Sequence, residues 1–441
     1  LLLEFDPDAK QLDQLVLSLE QGKLMQRSTL LADGHVNMQV SDSPTELSID
    51  ETQLVNTFGP EYRMLLIGAG QLTEYLATMA LFSGFAVTVC DPREEYRGAW
   101  SVSGARVVSD MPDDVVNAFR PDRRSCVVAL THDPKLDDLA LLEALKILEG
   151  FDLGKLGHNT PDYVHTVTEA LNLAFGDREA YVGDPKFVNV PVKALLSEDY
   201  AVRQRARIDL KRAFGKIPAG GNPENKPVSA GSHEPVYSAA RGKVGMAPDT
   251  IYAACMDKYG NAYSATLSDT TYDAPVIPGT GLVFSSRGQQ SRLTAGHPAQ
   301  VAPGKRPRLT PSPALAFKDG KPFMCFGTPG GDVQPQSKLQ VFLNVNVFGM
   351  SAQDAIEAPR FANYSFPGSF EPHAYYPGRL YIEGRVPKAT GEKLAAMGHK
   401  VHWWDDYTWL AGAPCTIVAD HKTGVLHGGA DPRRPAYVLG W

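Results

Sequence analysis

Thr250 is the residue of this sequence best placed for chemistry, because its hydroxyl opens the apolar run 251–256. A threonine hydroxyl is a weak nucleophile until a base takes its proton, and a free α-amino group on the same residue, with a pKa of about 8, can be that base. The amino group exists only after the peptide bond before Thr250 is cut. Residues 215–248 are rich in Gly, Pro, Ser and Asn, which predicts an exposed approach to that bond. The pattern indicates a nucleophile released by self-cleavage, although such a threonine is more often an ordinary strand residue.

A second chemical signal, Pro329-Gly330-Gly331-Asp332, follows a hydrophobic strand further along the chain. Glycine amides are not obstructed by a side chain, so Gly330 and Gly331 can donate hydrogen bonds to the oxyanion of a tetrahedral intermediate. The alternative is a plain turn, which is the commoner role of Pro-Gly-Gly.

A glycine turn of another kind lies near the start of the chain, where Gly68-x-Gly70-x-x-Thr73 stands between a predicted strand and a predicted helix. Asp91 ends the next strand about twenty residues later, as in dinucleotide-binding turns. Such a turn brings a phosphate close to the backbone at a helix N-terminus. Thr73 replaces the usual Gly or Ala, so a turn without a bound nucleotide is an equal interpretation.

The elements that would position the first turn alternate between strand and helix. Apolar runs at 63–67, 86–90 and 126–130 predict strands, and helical spacing from Leu72 to Ala80 predicts a crossover helix. This alternation favours a parallel sheet over roughly the first 145 residues.

The elements around Thr250 follow a different pattern. An amphipathic helix is predicted through Val164–Phe175, hairpins at 251–267 and 312–326, and helices at 339–348, 351–357 and 390–397. Ser351 is a plausible N-cap. Strands with helices on both outer faces would suit this half.

Composition narrows the function further. The 441 residues carry a net charge of -7, and basic clusters typical of nucleic-acid surfaces are lacking. The five scattered cysteines have no C-x-x-C spacing, so we expect neither a disulfide framework nor a zinc site, and no metal. Without a long apolar stretch or a signal peptide the given chain is expected to be cytoplasmic, although its true N-terminus is uncertain. A small-molecule substrate is expected.

Residues from about 146 to 441 resemble the gamma-glutamyltransferases, which are N-terminal nucleophile hydrolases. The motifs that carry the resemblance are Phe151-Asp152 with Gly157-His158-Asn159, Asp177-Arg178 with Tyr181-Val182-Gly183-Asp184-Pro185, Asp257 with Gly260-Asn261-Ala262, Pro303-Gly304-Lys305-Arg306-Pro307, Pro329-Gly330-Gly331, Ala358-Pro359-Arg360 and Asp431-Pro432-Arg433. The resemblance implies that Thr250 is the nucleophile, that Ser268 assists it and that Gly330 and Gly331 form the oxyanion hole. It also implies substrate contacts by Gln290, Thr310 and Thr270, and no cofactor.

The sequence departs from this family at two places that bear on the substrate. Gln290 stands where an acidic residue would hold the substrate's α-amino group, and Leu309-Thr310 replaces a pair of serines. A neutral amide cannot supply the charge-assisted contact, which favours a broader amide acylase. The part before Thr250 is also much shorter than the family's large subunit.

Residues from about 12 to 145 resemble XdhC/CoxI-type accessory proteins. The matching stretches are Leu66-Ile67-Gly68-Ala69-Gly70, Phe85 with Val87-Thr88-Val89, Asp91-Pro92-Arg93 and Thr131-His132-Asp133-Pro134-Lys135-Leu136-Asp137-Asp138. The resemblance implies binding of molybdenum cofactor, or of a nucleotide, and delivery to a xanthine dehydrogenase-type partner. The candidate binding residues are Gly68, Gly70, Thr73, Asp91, His132 and Asp133; the last two could instead satisfy the backbone of their own loop.

We therefore predict two modules, both incomplete. Residues 1–145 form an α/β Rossmann-like module, and residues 146–441 form an α-β-β-α nucleophile-hydrolase module with a large-subunit remnant at 146–249 and a small-subunit equivalent at 250–441. The predicted activity is amide acyl transfer or hydrolysis by an autocatalytically exposed Thr250. The alternative is cofactor delivery by the first module with an inactive second half, and the two modules are either a natural fusion or joined gene fragments.

Overall fold

The computed structural model of the chain describes residues 9–21, 23–41, 45, 47–59, 62–119, 125–129, 139–225, 250–268, 275–276, 283 and 285–440. The chain divides into two compact units. Unit 1 comprises Leu1–Asp133 and Val276–Leu282, and unit 2 comprises Pro134–Pro275 and Val283–Trp441. The predicted module boundary at 145/146 thus falls inside unit 2.

Unit 1 holds two sheets. Its elements are α1 (Ala9–Glu20), β1 (Met25–Leu30), β2 (Val36–Val40), β3 (Ser48–Ile49), β4 (Gln53–Phe58), β5 (Tyr62–Ile67), α2 (Gln71–Phe82), β6 (Phe85–Cys90), α3 (Glu94–Arg97), β7 (Arg106–Val108), α4 (Pro112–Phe119) and β8 (Ser125–Ala129). Strands β1 to β4 form an antiparallel sheet in the order β2-β1-β4-β3, which the sequence analysis missed.

The second sheet of unit 1 is the parallel sheet that the sequence predicts. Its order is β7-β6-β5-β8, and every neighbouring pair is parallel. Counted along the chain this order is 3-2-1-4, the order of a Rossmann half. Apolar residues of β5 and β6 pack against α2 in a core that includes Leu66, Ala77, Val87 and Val89. The sheet therefore presents the glycine turn at the carboxyl end of β5.

Unit 2 contains helices and three further sheets. Its elements are α5 (Leu139–Leu148), α6 (Leu153–Leu156), α7 (Pro161–Tyr181), α8 (Val192–Leu195), α9 (Glu198–Arg205), β9 (Ile251–Met256), β10 (Ala262–Leu267), β11 (Ala314–Lys318), β12 (Lys321–Gly327), α10 (Val333–Asn346), α11 (Ala352–Glu357), β13 (Phe361–Asn363), β14 (Arg379–Glu383), α12 (Lys388–Ala396), β15 (Lys400–Trp404), β16 (Cys415–Asp420) and β17 (Val425–Ala430), with short 3-10 helices at Ser286–Gln290 and Trp409–Ala411. The sheets have the orders β10-β9, β11-β12-β16-β17 and β13-β14-β15.

The β9–β10 hairpin lies on one face of the four-stranded sheet. The ring of Tyr252 sits directly over Gly327 of β12, and Ser264 Oγ donates to the Ala314 carbonyl at 2.9 Å. Met324 and Phe326 point to the opposite face, where they join a core with residues of α10 and α11. Within the described residues, the hairpin, the sheet and these helices give a β-β-α stack, in agreement with three layers of the predicted α-β-β-α arrangement.

The outer face of the hairpin carries apolar residues. Ile251 pairs with Leu267 across the hairpin, and they are 68% and 56% exposed. No described element covers this pair, so the fourth layer of the predicted stack is not seen in the described residues.

Helix α7 is the centre of the largest core. Thr160 caps its N-terminus through Tyr163, and the predicted apolar face through Val164, Val167, Leu171 and Phe175 is fully buried. The polar face is buried as well, because α5, α12 and β13 pack around the helix. Polar residues of α7 must therefore find partners inside the protein, since an unpaired buried polar group is costly.

None of the described helices is both long and apolar enough to cross a membrane.

Candidate active site

The hairpin register places Thr250 and Ser268 together. Ile251 pairs with Leu267, so the residues that flank this pair meet at the open end of the hairpin. Thr250 is 6% exposed, and its Oγ1 lies 2.7 Å from Ser268 Oγ. The tight turn at the other end is fixed by Asp257, which accepts from the Tyr259 and Asn261 amides at 2.9 Å each. Local turn chemistry and strand pairing thus bring two hydroxyl groups into one hydrogen bond.

Arg287 holds Ser268 from the other side. Its Nη2 donates to the Ser268 carbonyl at 2.7 Å and also to Ser268 Oγ. The guanidinium is buried and starts from the 3-10 helix that Ser285 caps by accepting from the Arg287 amide. The sequence analysis assigned Arg287 no role. No local motif links it to Ser268, which lies nineteen residues away.

The same guanidinium reaches two of the predicted substrate residues. Its Nη1 donates to Gln290 Oε1 at 3.2 Å and to Thr310 Oγ1 at 3.1 Å, and Gln290 Nε2 donates to Thr310 Oγ1 at 3.3 Å. Gln290 is fully buried. Thr250, Ser268, Gln290 and Thr310 are therefore members of one hydrogen-bonded group. Thr270, the third predicted substrate residue, lies outside the described residues.

The paired glycines form the turn between β12 and α10. Gly330 and Gly331 have φ values of 127° and 54°, which a residue with a side chain rarely adopts. In the part of the chain that the structure describes, neither amide donates a hydrogen bond, whereas their carbonyls accept from the first turn of α10. Gly331 and Thr310 line the same pocket, together with Arg178, Arg308 and Asp332. Thr310, which belongs to the same hydrogen-bonded group as Thr250, thus faces the pocket that Gly331 also lines.

A buried ion network forms one wall of this pocket. Glu179 of α7 accepts from Arg308 and Arg292 at 2.7 Å each, from Arg178 at 3.1 Å and from His297 at 3.3 Å. Burial opposes ionisation of Glu179, but the charges of Arg308 and Arg292 outweigh it and hold the pKa of its carboxyl well below the usual range. Burial lowers the pKa of Arg308 to about 10 against the opposing charge of Glu179. A single carboxylate therefore organises three guanidinium groups beside the pocket.

Asp332 ties the glycine turn to this network. Its Oδ1 accepts from Arg178 Nη1 at 2.6 Å, and its two oxygens accept from the Ser369 hydroxyl and amide at 2.7 Å each. Burial opposes ionisation, but the charge of Arg178 and the hydrogen bonds from Ser369 lower the pKa of Asp332. The turn is thereby anchored through its acid, while its amides stay available.

The glycine turn of unit 1 is anchored differently. Gly68 has a φ of 105°, and its amide donates to the Cys90 carbonyl at 2.7 Å. The Ala69 amide donates to Asp91 Oδ2 at 2.8 Å, and the Arg93 side chain donates to both oxygens of Asp91. Burial opposes ionisation of Asp91, but the hydrogen bonds from Arg93 and Ala69 lower its pKa to about 2.

The structure does not show a ligand site formed by the other binding residues predicted for unit 1, as far as it describes them. Gly70 is the N-cap of α2, and the Thr73 hydroxyl is buried without a hydrogen-bond partner among the described residues. His132 and Asp133 lie outside the described residues. The molybdenum cofactor, a nucleotide and a xanthine dehydrogenase-type partner stay predictions.

Two family profiles match the chain. The profile described as gamma-glutamyltranspeptidase matches residues 122–441, and that described as XdhC Rossmann domain matches residues 64–167. The two resemblances drawn from sequence motifs are thereby confirmed. The matches overlap, whereas the sequence analysis placed a sharp junction near residue 146.

Individual relatives agree with the first match. The glutathione hydrolase-like YwrD proenzyme of Bacillus subtilis is 31% identical over 84% of this chain and 62% of its own length. The acylase ACY 1 proenzyme of Pseudomonas sp. strain SE83 is 33% identical over 61% of this chain and 42% of its own length. A solved structure, the cephalosporin acylase from Bacillus halodurans, is 30% identical with a TM-score of 0.56, covering 70% of this chain and 50% of the acylase. The chain thus spans about half the length of the proteins that it matches.

Proposed function

Since this chain belongs to the gamma-glutamyltranspeptidase family, we propose that unit 2 hydrolyses an amide or transfers its acyl group, with Thr250 as the nucleophile. The observation that carries the proposal is the 2.7 Å contact between Thr250 Oγ1 and Ser268 Oγ at the buried start of β9. The names of the relatives, glutathione hydrolase and acylase, support the same reaction class.

The first step of the proposal is self-cleavage. Thr250 Oγ attacks the carbonyl carbon of Asp249, the peptide nitrogen leaves as the α-amine of Thr250, and an ester joins the two residues. Water then hydrolyses the ester, which releases a carboxylate on Asp249 and restores the hydroxyl. Ser268 supports the attack because its hydroxyl shares a hydrogen bond with Thr250 Oγ1. The product carries the base and the nucleophile on one residue.

Turnover repeats the same chemistry on a substrate. The α-amine of Thr250 takes the hydroxyl proton, Oγ attacks the substrate carbonyl, and the Gly330 and Gly331 amides donate to the oxyanion. The amine product leaves with a proton, and water or an acceptor amine resolves the acyl ester. The glycine amides, which donate to no described group, and the shared pocket of Gly331 and Thr310 support this assignment.

The acyl group that suits the site lacks an α-ammonium charge. Gln290 is fully buried beside Thr310 and carries no charge, so it offers only a neutral contact to an ammonium group. Glutaryl differs from γ-glutamyl only by the missing α-amino group. We therefore expect glutaryl amides to be hydrolysed faster than γ-glutamyl amides.

Mass analysis under denaturing conditions tests the first step. We expect two chains that meet between Asp249 and Thr250, and a single chain for Thr250→Ala. The Thr250→Ser variant keeps a hydroxyl and is the matched control, which should still be cut. A wild-type chain that stays intact on prolonged incubation would contradict the proposal.

Chromogenic anilides of glutaryl and γ-glutamyl groups test the second step. Loss of the nucleophile should lower kcat by at least about a thousandfold. If the cut protein hydrolyses only the γ-glutamyl anilide, the reaction class stands and the argument from Gln290 is wrong.

A further inference from the structure

Three buried side chains that the proposed reaction does not use lie together in unit 2. His165 and Glu169 are four residues apart on α7 and share one face of the helix. His399 reaches them from the turn between α12 and β15. The three residues are 0%, 1% and 5% exposed, respectively. We call them the His–Glu–His cluster.

The distances within this cluster are close to those of a metal site. His165 Nδ1 lies 2.8 Å from His399 Nε2, and His399 Nε2 lies 3.8 Å from Glu169 Oε1. One ligand atom from each residue lies within 4.8 Å of the others. Ligand atoms at about 2.0–2.2 Å from a tetrahedral zinc ion are about 3.3 Å apart. Two of these distances would therefore need to change by only about half an ångström to match a tetrahedral zinc site.

Neighbouring groups already orient two of the ligands. The Asp209 carbonyl lies 2.9 Å from His165 Nε2, and because a carbonyl can only accept, this nitrogen carries the proton. The lone pair of His165 is thus left on Nδ1, which faces the cluster. The Phe214 amide donates to Glu169 Oε2 at 3.2 Å, and Asn172 Nδ2 donates to Oε1 at 3.3 Å; Oε1 also lies 3.8 Å from His399 Nε2. Outer hydrogen bonds of this kind are typical of metal ligands.

Charge gives a second, independent reason. Among the described residues no lysine or arginine forms an ion pair with Glu169, in contrast to Glu179, which pairs with three arginines. A buried carboxylate without a counter-charge is unfavourable. A divalent cation between Glu169 and the two imidazoles would supply that charge.

We propose that His165, Glu169 and His399 bind one zinc ion, with water as the fourth ligand. Two imidazoles and one carboxylate suit zinc better than the oxygen-seeking calcium or magnesium ions. The ion would link α7 to the turn before β15. The 209–214 segment would support it through the hydrogen bonds from His165 and to Glu169. Cysteine spacing gave no sign of such a site, because no cysteine takes part in it and its two histidines are 234 positions apart.

Zinc and cobalt binding to the full chain tests the proposal. After removal of metal with a chelator and dialysis against zinc, we expect one zinc per chain and a raised Tm. His399→Gln and Glu169→Gln should weaken zinc binding by more than about 100-fold, because loss of an outer hydrogen-bond partner alone costs about 10- to 100-fold. His421→Gln, which removes an exposed histidine from the turn before β17, should bind as the wild type does.

Two results would overturn the proposal. The first is a wild-type chain that retains no zinc after dialysis and whose Tm does not respond to zinc; the histidines then only bond to each other. The second is a cobalt spectrum with thiolate bands, which would place the metal on cysteine. Both measurements use the wild type, so they remain decisive if the variants do not fold.

Discussion

The chain contains two turns of similar sequence design that the structure uses in opposite ways. Gly68-Ala69-Gly70 leads from β5 into α2, and Gly330-Gly331 leads from β12 into α10. Each turn has a glycine with positive φ and an aspartate nearby, of which Asp91 is buried and Asp332 has a side chain that is 12% exposed. From sequence alone, each could present its amides to a negatively charged ligand.

The two turns differ in the groups to which their backbone amides donate hydrogen bonds. In unit 1, Gly68 and Ala69 donate to the Cys90 carbonyl and to Asp91, so both amides are used inside the protein. In unit 2, Asp332 pairs with Arg178 and Ser369, and the glycine amides donate to no described group. Among the described residues, the two turns therefore differ in whether these backbone amides are already used inside the protein.

Among the substitutions that test this difference between the two turns, Asp332→Asn should lower the free energy of unfolding the most. The substitution removes the charge that pairs with buried Arg178, and loss of one partner of a buried ion pair costs about 3–5 kcal/mol. We expect the lower end, about 3 kcal/mol, because Arg178 keeps Glu179. Urea unfolding of unit 2 measures the loss. A loss below about 1 kcal/mol would mean that the acid does not anchor the turn.

Gly330→Ala should separate catalysis from stability. The φ of 127° is strained for alanine, although the added Cβ would meet its nearest atom at an ordinary 3.5 Å. A displaced oxyanion donor typically lowers kcat by about 100-fold or more. We expect this loss in both self-cleavage and anilide hydrolysis, measured as rates. Unchanged rates would mean that Gly330 does not take part in the oxyanion hole.

Asp91→Asn should destabilise the Gly68-Ala69-Gly70 turn by a smaller amount. We expect a loss of roughly 1–2 kcal/mol at neutral pH, because the lost partner Arg93 is 43% exposed and screened by solvent. Faster hydrogen exchange of the Ala69 amide, measured in the peptide that contains it, reports the change. An unchanged exchange rate would mean that Asp91 does not hold the Ala69 amide.

The pH dependence of that exchange sharpens the third prediction. The folded pKa of Asp91 is about 2, below its ordinary value of 3.8. A depressed pKa contributes stability that is complete above the unfolded value and is lost as pH falls through the folded value. The Ala69 amide should therefore be better protected from exchange in the wild type than in Asp91→Asn at pH 7. The two protection factors should converge as pH falls from about 4 to about 2. A constant difference across this window would contradict the assignment.

Gly70→Ala should have the smallest effect. Gly70 has a φ of -84°, and an added Cβ would meet no atom within 4 Å. The poorer N-cap and the reduced entropy of the unfolded chain act in opposite directions, so stability should stay within about 0.5 kcal/mol. Thermal unfolding checks this value. A larger loss would mean that the turn is tighter than its geometry implies.

Short-range patterns in the sequence predict much of this molecule. The strand alternation gives the parallel sheet of unit 1, and the turn at Asp257–Asn261 gives the hairpin that joins Thr250 to Ser268. Ser351 caps α11 as expected, accepting from the Asp354 amide at 3.2 Å. These features depend on residues close together in the chain, where propensity and turn chemistry act directly.

Long-range polar contacts are what the sequence does not reveal. Arg287 and the partners of Glu179 carry no local signature, because the arginines that pair with Glu179 lie as far as 129 residues along the chain. The antiparallel sheet of β1 to β4 was also missed; its strands β2 and β4 have no buried residue and no clear alternation of buried and exposed positions. The predicted roles of Thr270, His132 and Asp133 stay predictions.

The network around Glu179 has a consequence for the two pieces that a cut before Thr250 would leave. Glu179 and Arg178 belong to the leading piece, whereas Arg292, Arg308 and Asp332 belong to the trailing piece. Parting them would expose or strand several buried charges at once. The nicked protein should therefore migrate as one particle on gel filtration and come apart into two bands only in detergent.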